Sequence, residues 1–286
     1  FDISRVPFDD KKTFKLLCDA RTDGVFQLES GGMKQMLTQL KPDRIEDIIA
    51  AIALYRPGPM SSIPKYIEAR HGGKREKYPS PLLEAILEPT YGCIVYQEQV
   101  MQIFRDIAGY SLGHADIVRR AISKKHADEL MREKDAFIKG ASERGFSEAD
   151  AQKLFDDIAD FANYAFNKSH AAAYAVTSYR TAYLKAHYTK YYMSALLSSV
   201  LGNFEKTAEY ISESAKFGIR VLPPNINESK VSFAVVGGNI RFGLLELNAL
   251  PDPQTQGGNK HNTEDRRYQH SPESRYTDRT AASGSG

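Results

Sequence analysis

Little in this chain marks it for a specialised environment. Among its 286 residues are two cysteines, Cys18 and Cys93, far apart and without metal-ligand spacing. That excludes a disulfide scaffold and makes a reduced cytosolic protein the expectation. No apolar run approaches the roughly 18–20 residues of a membrane span. Neither sign of charge is in excess: 38 Lys and Arg against 36 Asp and Glu leave a formal +2. A histone-like basic wrapper is thereby excluded, while a local basic patch is not. The opening Phe1-Asp-Ile-Ser has neither an initiator Met nor a signal peptide's basic and apolar regions, so a chain cut from something longer is expected. Familiar enzyme signatures are missing too, with no phosphate-cradling Gly-rich loop and no His-Glu-x-x-His. The neighbouring acids Asp9-Asp10 and Asp156-Asp157 would point about 100° apart on a helix, which suits solvated faces better than a metal. His71, His114 and His126 are expected at the surface or in turns rather than as ligands.

What is present is ordinary globular composition, 42% hydrophobic and 26% charged, up to a sharp change after Leu250. Residues 251–286 contain no Val, Ile, Leu, Met, Phe or Cys, and their five acidic residues offset five basic ones. Such a stretch cannot bury enough apolar area to offset its ordering entropy, so a disordered tail is expected. Its closing Ala-Ala-Ser-Gly-Ser-Gly reads as a linker or cloning scar, or as the end of a natural tail. Ahead of it, helical periodicity dominates. Val100, Ile103, Phe104 and Ile107 make one apolar face. Leu154, Phe155, Ile158 and Phe161 make another, with Ser147 and Asp150 as a capping box. Gln152-x-Leu154-Phe155 is similar to a sliding-clamp peptide, but its Leu and Phe already belong to that face and are read as core. From Ser169 to Val200 the chain is rich in Ala and Tyr, which predicts a helix packed on several sides and stopped at Gly202. Val25-Phe26 and Ile94-Val95-Tyr96 are candidate strands. Alternating Val231, Phe233 and Val235, then Gly237-Gly238, then Ile240, Phe242 and Leu244, predict a hairpin. Pro223-Pro224 marks a boundary before it. The expected fold is therefore mainly α: a large helical domain, a small C-terminal β-hairpin element and a disordered tail.

Three segments concentrate basic groups. Arg119, Arg120, Lys124 and Lys125 fall within seven residues. On a helix Arg120 and Lys124 share a face, leaving Ile117, Val118, Ala121 and Ile122 to pack elsewhere. Guanidinium forks and mobile ammonium groups suit phosphate, although spacing alone favours a solvated charged helix. In Tyr164-Ala-Phe-Asn-Lys-Ser-His170, Ser169 could cap the next helix and leave Lys168 and His170 at its positive end, where an anion is welcome. Capping without a ligand explains that segment equally well. In Tyr55-Arg-Pro-Gly-Pro-Met60 the prolines stiffen a loop that aims Arg56, and a plain turn explains the loop but not the arginine.

These segments also carry a resemblance. Gly24-Val-Phe-Gln-Leu-Glu-Ser30, Tyr55-Arg-Pro-Gly-Pro59 and Pro89-Thr-Tyr-Gly-Cys-Ile-Val-Tyr-Gln-Glu-Gln-Val-Met-Gln102 are followed by Gly109-Tyr-Ser-Leu-Gly113 and by Ala115-Asp116 leading into Arg119-Arg120. Phe166-Asn-Lys-Ser-His-Ala-Ala-Ala-Tyr174, Leu184-Lys-Ala-His-Tyr188 and Leu222-Pro-Pro-Asn225 complete the order. Together they resemble the fingers region, with the end of the palm, of the bacterial family C replicative DNA polymerases, the DNA polymerase III alpha subunits.

The resemblance implies residues 1–30 as the end of the palm and start of the fingers, and 31–222 as the helical fingers domain. It implies 223–250 as a β element leading toward a helix-hairpin-helix region that is missing here. It also implies DNA-directed DNA polymerase chemistry in the intact protein, with Mg²⁺ held by palm aspartates that this chain does not contain. No catalytic residue is therefore assigned, and the chain alone is expected to be inactive. Arg119, Arg120, Lys124 and Lys125 become candidate ligands of the dNTP triphosphate. Arg56, Asn167, Lys168 and His170 become candidate phosphate or nascent-base-pair contacts. The implied partners are primer–template DNA, dNTP and, in the intact protein, the sliding clamp and other replicase subunits, with no membrane. Departures are the loss of the match near Leu245-Glu246, suggesting truncation or a frameshift, and two local changes. His114 stands where a second glycine is usual. Ser123 also replaces a glycine, which would stiffen the loop that aims Lys124. The competing reading is a stand-alone helical module that binds nucleic acid or nucleotide without catalysis.

Overall fold

A computed structural model of the chain describes residues 1–72, 78–124, 126–162 and 166–245. The expected tail, Lys125 and Tyr164 lie outside the described residues. Helices run as α1 Lys11–Cys18, α2 Gly31–Leu40, α3 Ile45–Leu54, α4 Ile63–Arg70, α5 Pro81–Leu87, α6 Gln97–Asp106 and α7 Leu112–Ser123. They continue as α8 Ala127–Met131, α9 Lys134–Ser142, α10 Glu148–Ala162, α11 Lys168–His187, α12 Thr189–Ser199 and α13 Phe204–Lys216. Three short strands close the described chain: β1 Val221–Leu222, β2 Ala234–Val236 and β3 Asn239–Arg241. The fold is mainly helical, as its periodicity predicts.

Apolar side chains gather in three clusters. In the first, α3 is buried from Asp47 through Leu54, which requires neighbours all round it, and α11 supplies one. The small residues Ala171, Ala175, Ala182 and Ala186 of α11 are buried there and let the backbones approach closely. Tyr179 is fully buried, and its hydroxyl accepts the Asp10 N–H at 2.9 Å. Asp10 caps α1 through Thr13 and lies 2.8 Å from His187, so this acid is structural. The second cluster holds the two apolar faces read from the sequence, on α6 and α10. Phe104, Phe137 and Phe155 meet there with ring centroids 4.9 to 6.4 Å apart. Phe161 is only partly buried at its edge. The third packs α12 and α13 against the sheet through Met193, Leu197, Tyr210, Phe233 and Ile240.

Several expectations change. The Ser169–Val200 segment is two helices, broken at Tyr188 (φ −125°, ψ 39°). Thr189 Oγ1 donates to the Lys185 carbonyl at 2.7 Å, a local bond that competes with the helix ladder. The second helix ends at Ser199, ahead of Gly202. Asn167, not Ser169, caps α11, its Oδ1 accepting the His170 N–H at 2.8 Å. Val25-Phe26 is a turn, with Val25 N–H donating to the Thr22 carbonyl at 2.9 Å. Tyr96 makes one isolated bridge, to Phe166, rather than a strand. The hairpin pairs Val236 with Asn239 around Gly237-Gly238, both at positive φ as a two-residue primed turn requires. Strand β1, directly before Pro223-Pro224, adds in parallel to β3, which two residues could not signal in the sequence. At Ser147 the capping box is half made: its Oγ accepts the Asp150 N–H at 3.1 Å, while the Asp150 carboxylate takes the Ser147 hydroxyl.

Candidate nucleic-acid interface

Ser111 caps α7, and Ala115, Val118, Ala121 and Ile122 bury one face of it. Ile117 does not join them and is 58% exposed, because its position falls on the outward stripe. On that outer side Asp116 collects both arginines. Arg119 approaches through Nε at 2.9 Å and a terminal nitrogen at 2.8 Å. Arg120 does so at 2.8 and 2.5 Å. Hydrogen bonds from Arg120 and then Arg119 hold the Asp116 carboxyl below its ordinary pKa. A guanidinium carries five N–H donors, and Asp116 engages two nitrogens of each. The carboxylate orients the pair and cancels part of its charge.

Ser123 is the last residue of α7, not part of a loop. Its Oγ lies 2.9 Å from both the Arg119 carbonyl and Gln97 Oε1. Lys124 caps the helix and is exposed. The C-terminal end of the basic run is thus tied to the start of α6. That start is itself well ordered, because Gln99 Oε1 accepts the N–H groups of Val95 and Tyr96 at 2.9 and 3.0 Å.

The start of α11 meets the same point. Gln97 N–H donates to the Phe166 carbonyl at 2.9 Å. Glu98 takes Asn167 Nδ2 at 3.0 Å on one oxygen and the Lys168 N–H at 2.9 Å on the other. A side-chain carboxylate therefore already sits at the positive end of α11. Lys168 is exposed, its ammonium 5.4 Å from the Tyr96 ring centre.

Arg56 completes the arrangement. Its N–H bonds to the Leu54 carbonyl at 2.8 Å, and its guanidinium lies 3.7 Å over the Phe166 ring. Burial lowers its pKa below the usual value. From Phe166 a row of planar groups follows: His170 at 5.4 Å, Tyr174 at 4.3 Å from His170, and Phe26 at 5.3 Å from Tyr174. His170 and Tyr174 meet because they are four residues apart on α11, and Phe166, just ahead of that helix, extends the row. Together with Gln27, Glu29 and Ser30 they line an open cleft of about 760 Å³. The structure thus brings Arg56 and His170 to one groove, holds Asn167 and Lys168 at the start of α11 against Glu98 and Tyr96, ties the end of α7 to the start of α6, and pairs Arg119 and Arg120 with Asp116. Sequence reasoning missed Glu98, Phe26 and Tyr174. The aromatic spacing of four was there to find, but Phe26 and Glu98 come from distant segments.

Helices around three apolar clusters, with a groove lined by Arg56, Phe166, His170, Tyr174 and Phe26, define a mainly α-helical protein. The chain belongs to the bacterial DNA polymerase III alpha subunit finger domain family, whose model matches residues 1–145. It is 53% identical over 270 residues to DNA polymerase III subunit alpha of Thermus aquaticus, covering 90% of this chain and 22% of that protein. Against DNA polymerase III subunit alpha of Bacillus subtilis it is 48% identical over 249 residues, covering 87% and 22%. The chain spans about a fifth of the length of these relatives.

Proposed function

We propose that this chain serves DNA-directed DNA synthesis as the fingers part of a replicative polymerase, positioning primer–template DNA and the incoming dNTP. The observation that carries this reading is the groove whose wall runs Arg56, Phe166, His170, Tyr174 and Phe26. Nucleobases stack on such surfaces with about 1–3 kcal/mol each. Residues 1–30 are then the end of the palm, 31–222 the fingers and 223–250 the β element. When a primer 3′-hydroxyl attacks the α-phosphate, negative charge grows on the departing pyrophosphate. Arg119 and Arg120, with Lys124 and Lys125, are the cations we assign to counter it. Arg56, Asn167, Lys168 and His170 contact phosphates or the nascent base pair. Fixing the reactants in this way lowers the barrier without a reacting group from this chain.

Mg²⁺ is the ion we propose for the whole enzyme. Among the described residues no group of three or more His, Cys, Asp or Glu could hold a metal. No helix of the described residues is long and apolar enough to cross a membrane. A cytoplasmic replicase, meeting a sliding clamp and other subunits, is the setting we propose.

The test is the affinity of the chain for a labelled primer–template between about 50 and about 200 mM salt. Arg119→Ala with Arg120→Ala is expected to weaken binding about tenfold and to reduce the salt slope by about 1 to 2. Unchanged affinity and slope would remove both arginines from the interface. Asp116→Asn is expected to act the other way, strengthening binding a few-fold by releasing both guanidinium groups. The Asp116 pKa is depressed, so its carboxylate keeps cancelling that charge down to pH values below the ordinary carboxylate range, about 4. Its contribution is therefore constant from about pH 8 to 5, and the gain in the Asn variant should be equally flat there; a gain that vanishes toward pH 5 would contradict this pairing.

A further inference from the structure

We infer that Lys185 and Glu213 are positioning residues that hold the turn bearing Phe26 against Tyr174 and so set the width of the groove. The consequence for ligand binding rests on the reading of that groove given above; the positioning itself does not. Lys185 is fully buried, and its ammonium donates to Glu213 Oε1 at 2.7 Å and to the Asp23 main-chain carbonyl at 2.8 Å. Glu213, 2% exposed, also meets Lys216 at 3.1 Å. The Phe217 ring lies 5.3 Å from the Lys185 ammonium, and Lys34 binds the Asp23 carboxylate. A buried ion pair is weak evidence of stabilisation, since apolar replacements of both partners are often neutral or better. Its distinctive property is geometric, because each charge has few places where it is satisfied.

What this pair satisfies is one end of a turn whose backbone is tied almost throughout. Gly24 N–H bonds to Glu29 Oε2 at 3.0 Å, and its carbonyl accepts from the Tyr192 hydroxyl at 2.6 Å. Thr22 Oγ1 donates to the Leu28 carbonyl at 2.6 Å. A Cβ on Gly24, which has φ +72°, would meet Leu196 Cδ2 at 2.2 Å, so the chain passes close beneath α12. Val25 is buried, and the tip then emerges with Phe26 39% exposed and Gln27 at φ +63°. A non-glycine residue held in the left-handed region needs surroundings that impose it. Lys185 contributes to them by holding the Asp23 end of the turn from α11, the helix that also carries Tyr174 and His170, about 16 and about 22 Å back along its axis. One rigid helix thus bears one wall of the groove directly and grips the base of the other.

The chain contains no tryptophan, so Phe26→Trp in the full chain places a lone emitter on the groove wall. Lys185→Met with Glu213→Leu removes both charges together and leaves neither buried alone, while depriving the Asp23 carbonyl of its donor. In that background the acrylamide quenching constant of the tryptophan is expected to rise about twofold, with a matching loss of nanosecond anisotropy, while the helical circular dichroism persists. Quenching and anisotropy equal to those of the reporter alone would overturn the inference. Should the Met/Leu pair not fold, Lys185→Gln with Glu213→Gln carries the same readout, because a Gln side chain is one bond too short to reach Asp23. A separate titration of the reporter with dATP tests the groove. A reporter indifferent to dATP whose tip is nevertheless freed by the double variant sinks the nucleotide reading and upholds the positioning one.

Discussion

Asp47→Ala is expected to destabilise the protein by about 3–5 kcal/mol, the cost of stranding a buried partner charge. Asp47 lies in the first turn of α3 and is fully buried. Its Oδ2 receives Arg70 at 2.8 Å and the Asp43 N–H at 3.2 Å; its Oδ1 receives the Tyr91 hydroxyl at 3.3 Å and faces Arg44 Nε at 3.6 Å. Burial disfavours the Arg70 charge, and Asp47 and Asp43 more than offset it, so the Arg70 pKa is raised. Without Asp47, a guanidinium only 10% exposed keeps just the exposed Asp43. The consequence reaches the groove, because Arg44 and Asp47 together fix Tyr91, a non-glycine residue at φ +55°. Tyr91 begins the turn that delivers Tyr96, Gln97 and Glu98. Urea denaturation should show a lower midpoint with an unchanged slope. Asp43→Ala, at an exposed partner, should cost no more than about 1 kcal/mol; equal losses in the two variants would show that Asp47 is not the anchor.

The helical faces were legible because burial on one side imposes a period of 3.6, and α6 and α10 keep it strictly. On α11, expected to be packed on several sides, burial also keeps to one face, Ala171, Ala175, Ser178, Tyr179, Ala182, Lys185 and Ala186, but that face is built of small and polar residues, so no apolar period marks it in the sequence and nothing marks the break at Tyr188. The cap of α11 is misread by two residues because Ser169 and Asn167 are both good caps, and Glu98, 69 residues away in sequence, favours Asn167 by binding it. Arg119 and Arg120 were readable as cations, but their sharing of Asp116 depends on helical register as well as on charge. The groove was the least legible feature. Arg56, Phe166 and Phe26 lie on three separated segments, and only packing brings their planes into one row.

Phe104→Ala is expected to cost about 3–5 kcal/mol by leaving a cavity among aromatic rings. Phe104 is fully buried on α6, with Phe137 at 4.9 Å, Tyr110 at 5.1 Å and Phe155 at 6.4 Å between ring centroids. Helices α6, α7, α9 and α10 meet through that cluster, whereas α3 and α11 belong to another. The damage should therefore be local. Hydrogen exchange is expected to quicken in α6, α7, α9 and α10 well before α3 and α11 respond. Since α7 carries Arg119 and Arg120, primer–template affinity should fall with it, although Phe104 touches neither arginine. Phe104→Leu, which refills most of the volume, should recover the greater part of both losses. Uniform acceleration through α3 and α11 would mean that the clusters open as one unit, and that the arginines and the groove are supported by a single core rather than by two.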